Sequence, residues 1–248
     1  MTNELSGTTA LVTGATSGIG RATAVKLAKL GAHVLVGGRD ADRGDQVVKE
    51  IRADGGQADF LAADLADEAS ARDLAARAEA ITGHVDVLVN SAGVFPFGPT
   101  ETTTEQDFDG VFALNVKAPF FLVAALAPKM ADRGSGAIVN VSTMVAGFGA
   151  AGMALYGASK AAVELLTKAW AAEFGPRGVR VNTVSPGPTR TEGTAVMGES
   201  LDQLASLAPA GRPADADEIA AAIVFLATGG AAFVHGAILP VDGGRAAV

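Results

Sequence analysis

Tyr156 and Lys160 are the residues of this chain whose types and spacing best suit moving a proton. Tyr156 is the only tyrosine, and a lysine four residues later on a helix faces the same side, one turn away. An ammonium beside a phenol stabilises phenolate and draws its pKa from about 10 toward the operating range, as general acid–base chemistry needs. Alone, a Tyr-x-x-x-Lys pair usually reads as a surface phenol beside a solvated lysine. Its setting has to decide.

A second segment is suited to holding an anion. Gly14-Ala15-Thr16-Ser17-Gly18-Ile19-Gly20 follows an apolar run and opens a helical pattern. Its glycines permit a tight turn and close backbone approach to a pyrophosphate, which the free N–H groups of the helix start would hold. The spacing is G-x-x-x-G-x-G rather than the standard G-x-G-x-x-G, so by itself it is nearly as readily a bland strand-to-helix turn. Small or polar residues recur where later apolar runs end: Asp64-Leu65, whose carboxylate suits an adenine amino group, Asn90-Ser91-Ala92-Gly93, and Ser185-Pro186-Gly187. Each is ordinary turn chemistry; together they outline a dinucleotide groove. At Gly37-Gly38-Arg39 an acid in place of Gly38 would bind ribose hydroxyls and repel a 2′-phosphate. That acid is missing, and Arg39 attracts phosphate. NADP(H) is therefore expected over NAD(H), unless Arg39 is a solvated cation partnered by Asp40 and Asp42.

The elements that must position these residues alternate along the chain. Short apolar runs at Thr8–Val12, His33–Val36, Ala58–Leu61, Val85–Val89, Ala137–Val141, Val179–Val184 and Ala237–Val241 are separated by helix-period segments near Ile19–Leu30, Asp42–Asp54, Asp67–Ile81, Glu105–Arg133, Met153–Phe174 and Asp215–Leu226. This predicts an α/β fold: a Rossmann-type doubly wound parallel sheet of about seven strands with helices on both faces, as one domain over 1–248. Asp67 and Asp215 read as helix starts, Gly31 and Gly175–Pro176 as helix ends. Thr189–Pro213 has the weakest element signal and reads as a flap over the site, or else an ordinary surface excursion.

Bulk properties exclude other classes. With no cysteine there are no disulfides or thiolate metal sites, and His33, His84 and His235 have no ligand-like spacing, so no metal is expected. A formal charge of −8 without a basic run argues against nucleic acid. No secretory signal pattern or run of roughly 18 apolar residues is present, so no membrane association is expected and the cytoplasm is the expected compartment.

TGATSGIG, NSAG, Asn115, IVNVST, YGASK, SPGPTRT and LPVDGG, in this order across nearly the whole chain, resemble the classical short-chain dehydrogenase/reductase family. The resemblance implies interconversion of a carbonyl and an alcohol by hydride transfer with a nicotinamide. Tyr156 would be the general acid/base. Lys160 would lower its pKa and hold the nicotinamide ribose, and Asn115 would anchor a proton-relaying water. Pro186, Gly187, Thr189 and Thr191 would serve the cofactor, with Gly187 beside the nicotinamide and Thr191 bonding its carboxamide. Ser91 replaces the family's usual asparagine. The family's substrate-steadying serine, thirteen residues before the tyrosine, falls on Thr143, with Ser142 just before it. Adjacent strand residues point to opposite faces, which favours Thr143 and keeps Ser142 as the alternative.

Val94, Phe95, Met144, Val145, Phe148, Met153, Pro188 and Ala195–Met197 are expected near the site, with Val145 more readily core. They suit a neutral ketone, aldehyde or secondary alcohol with hydrophobic bulk. A 3-oxoacyl thioester (acyl-carrier-protein or CoA) is the alternative, with Arg133 and Arg177 as cations for a carrier. A non-catalytic dinucleotide sensor is the rival of another class. The resemblance also implies a homo-oligomer, commonly a homotetramer, with apolar surface in Ala161–Trp170 and Ala231–Val241 available for partners.

Overall fold

The computed structural model describes residues 4–248. Strands β1 (Thr9–Thr13), β2 (His33–Gly38), β3 (Gln57–Ala62), β4 (Val87–Asn90), β5 (Gly136–Val141), β6 (Val179–Pro186) and, last in the chain, β9 (Ile238–Val241) form one parallel sheet in the order β3-β2-β1-β4-β5-β6-β9. The seven predicted runs are these seven strands. Their side chains sort strictly by period two. Ala10, Val12, Val34, Val36, Val87, Val89, Val139 and Val141 enter one core, whereas Leu11, Leu35, Leu88 and Ile138 enter the other.

Helices α1 (Gly18–Lys29), α2 (Ala41–Ala53) and α8 (Ala216–Ala227) cover the first face with Leu27, Val47, Ile51, Ile219 and Ile223. The second face carries α3 (Glu68–Thr82), α5 (Ala118–Asp132) and α6 (Ala154–Phe174) with Leu74, Leu122, Leu126, Met130 and Trp170. The chain runs outward from β1 through β2 to β3, then returns to the other side of β1 at β4. That reversal opens a crevice at the carboxyl ends of β1 and β4.

Asp67 and Asp215 cap α3 and α8 in reciprocal capping boxes with Ser70 and Glu218. Gly175, read as a helix stop, is the C-cap of α6 and opens a 3₁₀ turn with φ −56°, and Gly178, in the left-handed conformation at φ 84°, turns the chain into β6. The segment read as one helix over Glu105–Arg133 is α4 (Glu105–Phe112) and α5 joined by a π turn at Ala113–Lys117, where the Ala118 N–H reaches back to the Ala113 carbonyl. By length and composition this run could cross a membrane, with a mean hydropathy of 1.8 in its most apolar window. Here Leu122, Val123, Leu126 and Met130 are buried against the sheet.

The flap has more structure than its sequence suggested. Strands β7 (Thr189–Arg190) and β8 (Ala214–Asp215) pair to close its base, and α7 (Glu199–Ala205) lies between them. Seven residues with only Leu201 and Ala205 buried give too little periodicity to announce a helix.

Candidate active site

A cleft of about 430 Å³ runs along the carboxyl ends of the strands, lined by Gly14, Thr16, Ser17, Gly18, Ile19 and Gly20 of the β1–α1 turn. Its bare backbone is required. A Cβ on Gly14 would come 2.8 Å from Ala92 Cα, and one on Gly20 would come 2.3 Å from the Gly14 carbonyl oxygen. Ser17 precedes α1 without a side-chain cap, so the first N–H groups of α1 are not satisfied by the turn itself. This is an anion cradle, and it fits a dinucleotide's phosphates.

At one end of the cleft lie Gly38, Arg39, Asp40 and Arg43. Asp40 caps α2 and pairs with Arg43 at 2.6 Å, so one of the two partners expected for Arg39 is already engaged. No ion pair engages Arg39 among the described residues. Arg43 was not singled out from the sequence, because only the first turn of α2 brings it back over the cleft. A Cβ on Gly38 would come 2.5 Å from Thr16 Cγ2, which helps explain the missing acid.

Leu65, Ser91, Ala92, Gly93, Pro186, Gly187, Thr189 and Thr191 also line the cleft. Two predicted cofactor residues do not. Asp64 is exposed beyond the wall that its neighbours Ala63 and Leu65 form. Asn90 is buried with its side chain turned beneath α6, donating to Asn140 Oδ1 at 2.8 Å, because it shares the Leu88 face of β4. Asn140 in turn donates to Thr167, whose hydroxyl meets that of Thr183 at 2.8 Å. This buried ladder ties three strands to α6.

At the other end, α6 brings Tyr156 and Lys160 to the cleft beside Ser142 and Thr143. Thr143 sits beside the phenol, and the two candidate hydroxyls part as strand alternation requires. Ser142 points to α6 and donates to the Glu164 carboxylate at 2.7 Å, whereas Thr143 lines the cleft with Tyr156. Burial pushes the Tyr156 phenol above its ordinary value, and the neighbouring Thr143 hydroxyl opposes the rise. Lys160 is fully enclosed, and burial lowers its ammonium from 10.5 to about 8. The expected lowering of the phenol by Lys160 is thus not a property of the protein by itself. The lysine Nζ is turned to the Val141 carbonyl at 2.8 Å, and its own charge is disfavoured.

Asn115 is buried in the middle of the π turn and clamps Val94 from both sides, accepting its N–H and donating to its carbonyl, each at 2.9 Å. Its amide also donates to Ser159, whose hydroxyl bonds the Tyr156 carbonyl. Asn115 Oδ1 and Lys160 Nζ both lie 3.2 Å from the point a Gly93 Cβ would occupy, so glycine there lets the two groups approach.

Val94, Phe95, Met144, Val145, Met153, Pro188 and Met197 form the wall near Tyr156, with Phe95 set edge-on to the tyrosine ring at 6.3 Å. Val145 is therefore wall rather than core. Phe148 is not in the wall and lies under the Arg245 guanidinium, 5.1 Å from its ring centre. Ala195 and Val196 point away, while Leu201 and Leu204 of α7 add to the lining. An anion cradle continuous with a tyrosine, a threonine and a lysine is the site of a dinucleotide-dependent oxidoreductase.

Known proteins agree. The family profile described as Enoyl-(Acyl carrier protein) reductase matches residues 14–246. The D-threitol dehydrogenase of Mycolicibacterium smegmatis is 42% identical over 97% of this chain and 94% of its own length. The 3-oxoacyl-[acyl-carrier-protein] reductase FabG of Thermotoga maritima is 36% identical over 97% of this chain and 98% of its own. A crystal structure of a gluconate 5-dehydrogenase from Burkholderia cenocepacia, in complex with NADP and tartrate, superposes with a TM-score of 0.93 at 32% identity, covering 99% of this chain and 98% of that one. The chain belongs to the classical short-chain dehydrogenase/reductase family, and it is a nicotinamide-dependent oxidoreductase acting between CH–OH and C=O groups.

Proposed function

We propose that this enzyme uses NADP(H) and acts on a small, neutral carbonyl compound or secondary alcohol with apolar substituents. The observation that carries the substrate class is the distribution of charge in the cleft. Its charged side chains are Arg39, Asp40 and Arg43 at the cradle end and Lys160 beneath Tyr156, and the wall around the tyrosine is apolar. A polyhydroxy acid would leave its carboxylate and hydroxyls unpaired against that wall, at a cost of about 1–3 kcal/mol per unsatisfied group.

Arg39 supports the cofactor choice, as a planar cation that no carboxylate pairs among the described residues, where an acid would otherwise bind ribose hydroxyls. When bound, the nicotinamide supplies or accepts the hydride. Thr143 steadies the substrate oxygen and Tyr156 gives it a proton or takes one away. Lys160, readily deprotonated for a lysine, refills the phenol, and Asn115 fixes Val94 and the start of α6 so that these groups keep their spacing. Pro186, Gly187, Thr189 and Thr191 close the cofactor's other side.

NADPH consumption against cyclic and aryl ketones, sugar acids and a 3-oxoacyl thioester tests this reading. Preferential turnover of sugar acids overturns it. The thioester is the second reading, favoured by the similarity to the FabG protein of Thermotoga maritima. Arg133 and Arg177 are not its carrier patch: they bind the Val85 carbonyl and Asp132 at the amino ends of the strands, opposite the cleft. The homotetramer is retained as part of the proposal, because Leu165 on α6 and Phe225 and Phe233 near the C-terminus are exposed while Val163 and Trp170 are buried. A monomer by light scattering contradicts it.

A further inference from the structure

Glu192 belongs to the flap yet ends at the phosphate cradle. Its carboxylate accepts the Gly18 N–H at 2.9 Å, across 174 residues of chain. Gly18 is the first residue of α1, and neither the Ser17 side chain nor an acidic residue in the first turn supplies a local partner for that end of the helix. The dipole of α1 and its free donors favour an anion there, and the flap provides one.

The placement is built rather than incidental. Thr191 lies against Gly18, its Cβ 3.1 Å from where a Cβ on that glycine would sit. Thr191 donates its N–H to the Thr194 hydroxyl at 2.9 Å, and Thr194 bonds the Thr189 carbonyl at 2.7 Å. The β7–β8 pairing fixes the base of the same turn. Glu192 is thus held at α1 by a knotted turn whose other members line the cofactor cleft.

We propose that Glu192 is a tethered competitor for the cofactor's pyrophosphate. Resting on the cofactor reading above, this makes nucleotide entry and release of the flap from α1 one coupled event. A dinucleotide approaching the cradle must displace the carboxylate or accept its repulsion, so Glu192 weakens binding and shortens the cofactor's residence. An enzyme that must exchange oxidised for reduced cofactor on every turnover benefits from such a built-in displacer.

The test is titration of NADPH fluorescence with the wild-type chain, Glu192→Gln and Glu192→Ala, with stopped-flow dissociation. Both variants are expected to bind NADPH about two- to fivefold more tightly and to release it more slowly, the range set by an exposed charge at a helix terminus. The wild-type advantage in release rate should shrink at high salt. Unchanged or weaker binding in both variants overturns the competitor and leaves the cofactor reading standing. No binding of NADPH or NADH by any of the three chains overturns both. Glu192 is exposed, so both variants should fold, which a thermal melt verifies.

Discussion

The Ser142 hydroxyl donates to Glu164 at 2.7 Å, on the α6 side of the sheet, and that contact assigns the neighbouring Thr143 to the cleft. The two residues adjoin in sequence and both line the cleft, but only the Ser142 hydroxyl is engaged by Glu164. Thr143→Ala should lower kcat/KM by about 10²- to 10³-fold, the typical cost of a hydrogen-bond donor aimed at a reacting oxygen. Ser142→Ala should change turnover only a few-fold and lower stability by about 1 kcal/mol. Steady-state kinetics of the pair decides it, and full activity in Thr143→Ala would reverse the assignment.

Tyr156→Phe keeps the ring and its edge-on contact with Phe95 while removing the proton. Turnover should fall by about 10²- to 10⁴-fold, with NADPH affinity within a few-fold of wild type. Loss of cofactor binding in parallel would show that the hydroxyl holds the nucleotide instead.

Lys160 gives stability a signature in pH. Its ammonium is lowered by burial from 10.5 to about 8. Between those values the unfolded chain holds a proton that the folded chain has lost, so stability rises with pH across the window. Relative to Lys160→Met, which cannot titrate, the wild type should gain roughly 2–3 kcal/mol between pH 8 and 10. Burial of Tyr156 acts oppositely, keeping a proton in the folded state where the unfolded phenol loses it, so stability declines above about pH 10. Urea midpoints at pH 7.5, 9 and 10 read the slope. A flat difference would mean that the lysine is solvated.

Arg39→Ala should weaken NADPH binding by about 10- to 100-fold, the worth of a charge-assisted contact to phosphate, and leave NADH nearly unchanged. Gly38→Asp should turn the preference toward NADH, provided Thr16 can rotate out of the way. Equal losses for both nucleotides in Arg39→Ala would place Arg39 elsewhere.

The polar ladder under α6 predicts a purely structural effect. Thr167→Val removes the acceptor of the Asn140 amide and the partner of the Thr183 hydroxyl. A loss of about 1–3 kcal/mol is expected for each buried group left unpaired, with NADPH affinity preserved. Because Asn90 Oδ1 has no partner among the described residues at the far end of the ladder, further unsatisfied groups there should be poorly tolerated.

Most of this architecture was legible because the sheet is covered on both faces. Runs such as Val87–Val89 are apolar throughout, and Gly14 and Gly20 mark a turn whose bare backbone is required. The Asn90 side chain falls outside the cleft wall because the position at which a strand ends does not say where its last side chain points, and Asp64 lies two residues past the end of β3. Asn90 follows the face of Leu88, away from the crevice. Arg43, Leu201, Leu204 and Glu192 reach the site through folding of α2 and the flap, and short polar segments carry no periodicity from which to foresee that. Spacing anticipates that the phenol and the ammonium reach one cleft, yet it is silent about desolvation, which moves the two groups in opposite senses.

The π turn at Ala113–Lys117 acts as a frameshift absorbed within one helix. An extra residue in a turn rotates the upstream part of a helix by about 100° relative to the downstream part. Helix α5 therefore keeps Leu122, Leu126 and Met130 in phase with the sheet while Asn115 swings to Val94 on a phase of its own. A one-residue deletion between Ala113 and Lys117 would restore regular winding and leave the α5 core intact. It would also carry the asparagine off its target, separating folding from catalysis by a change in length alone.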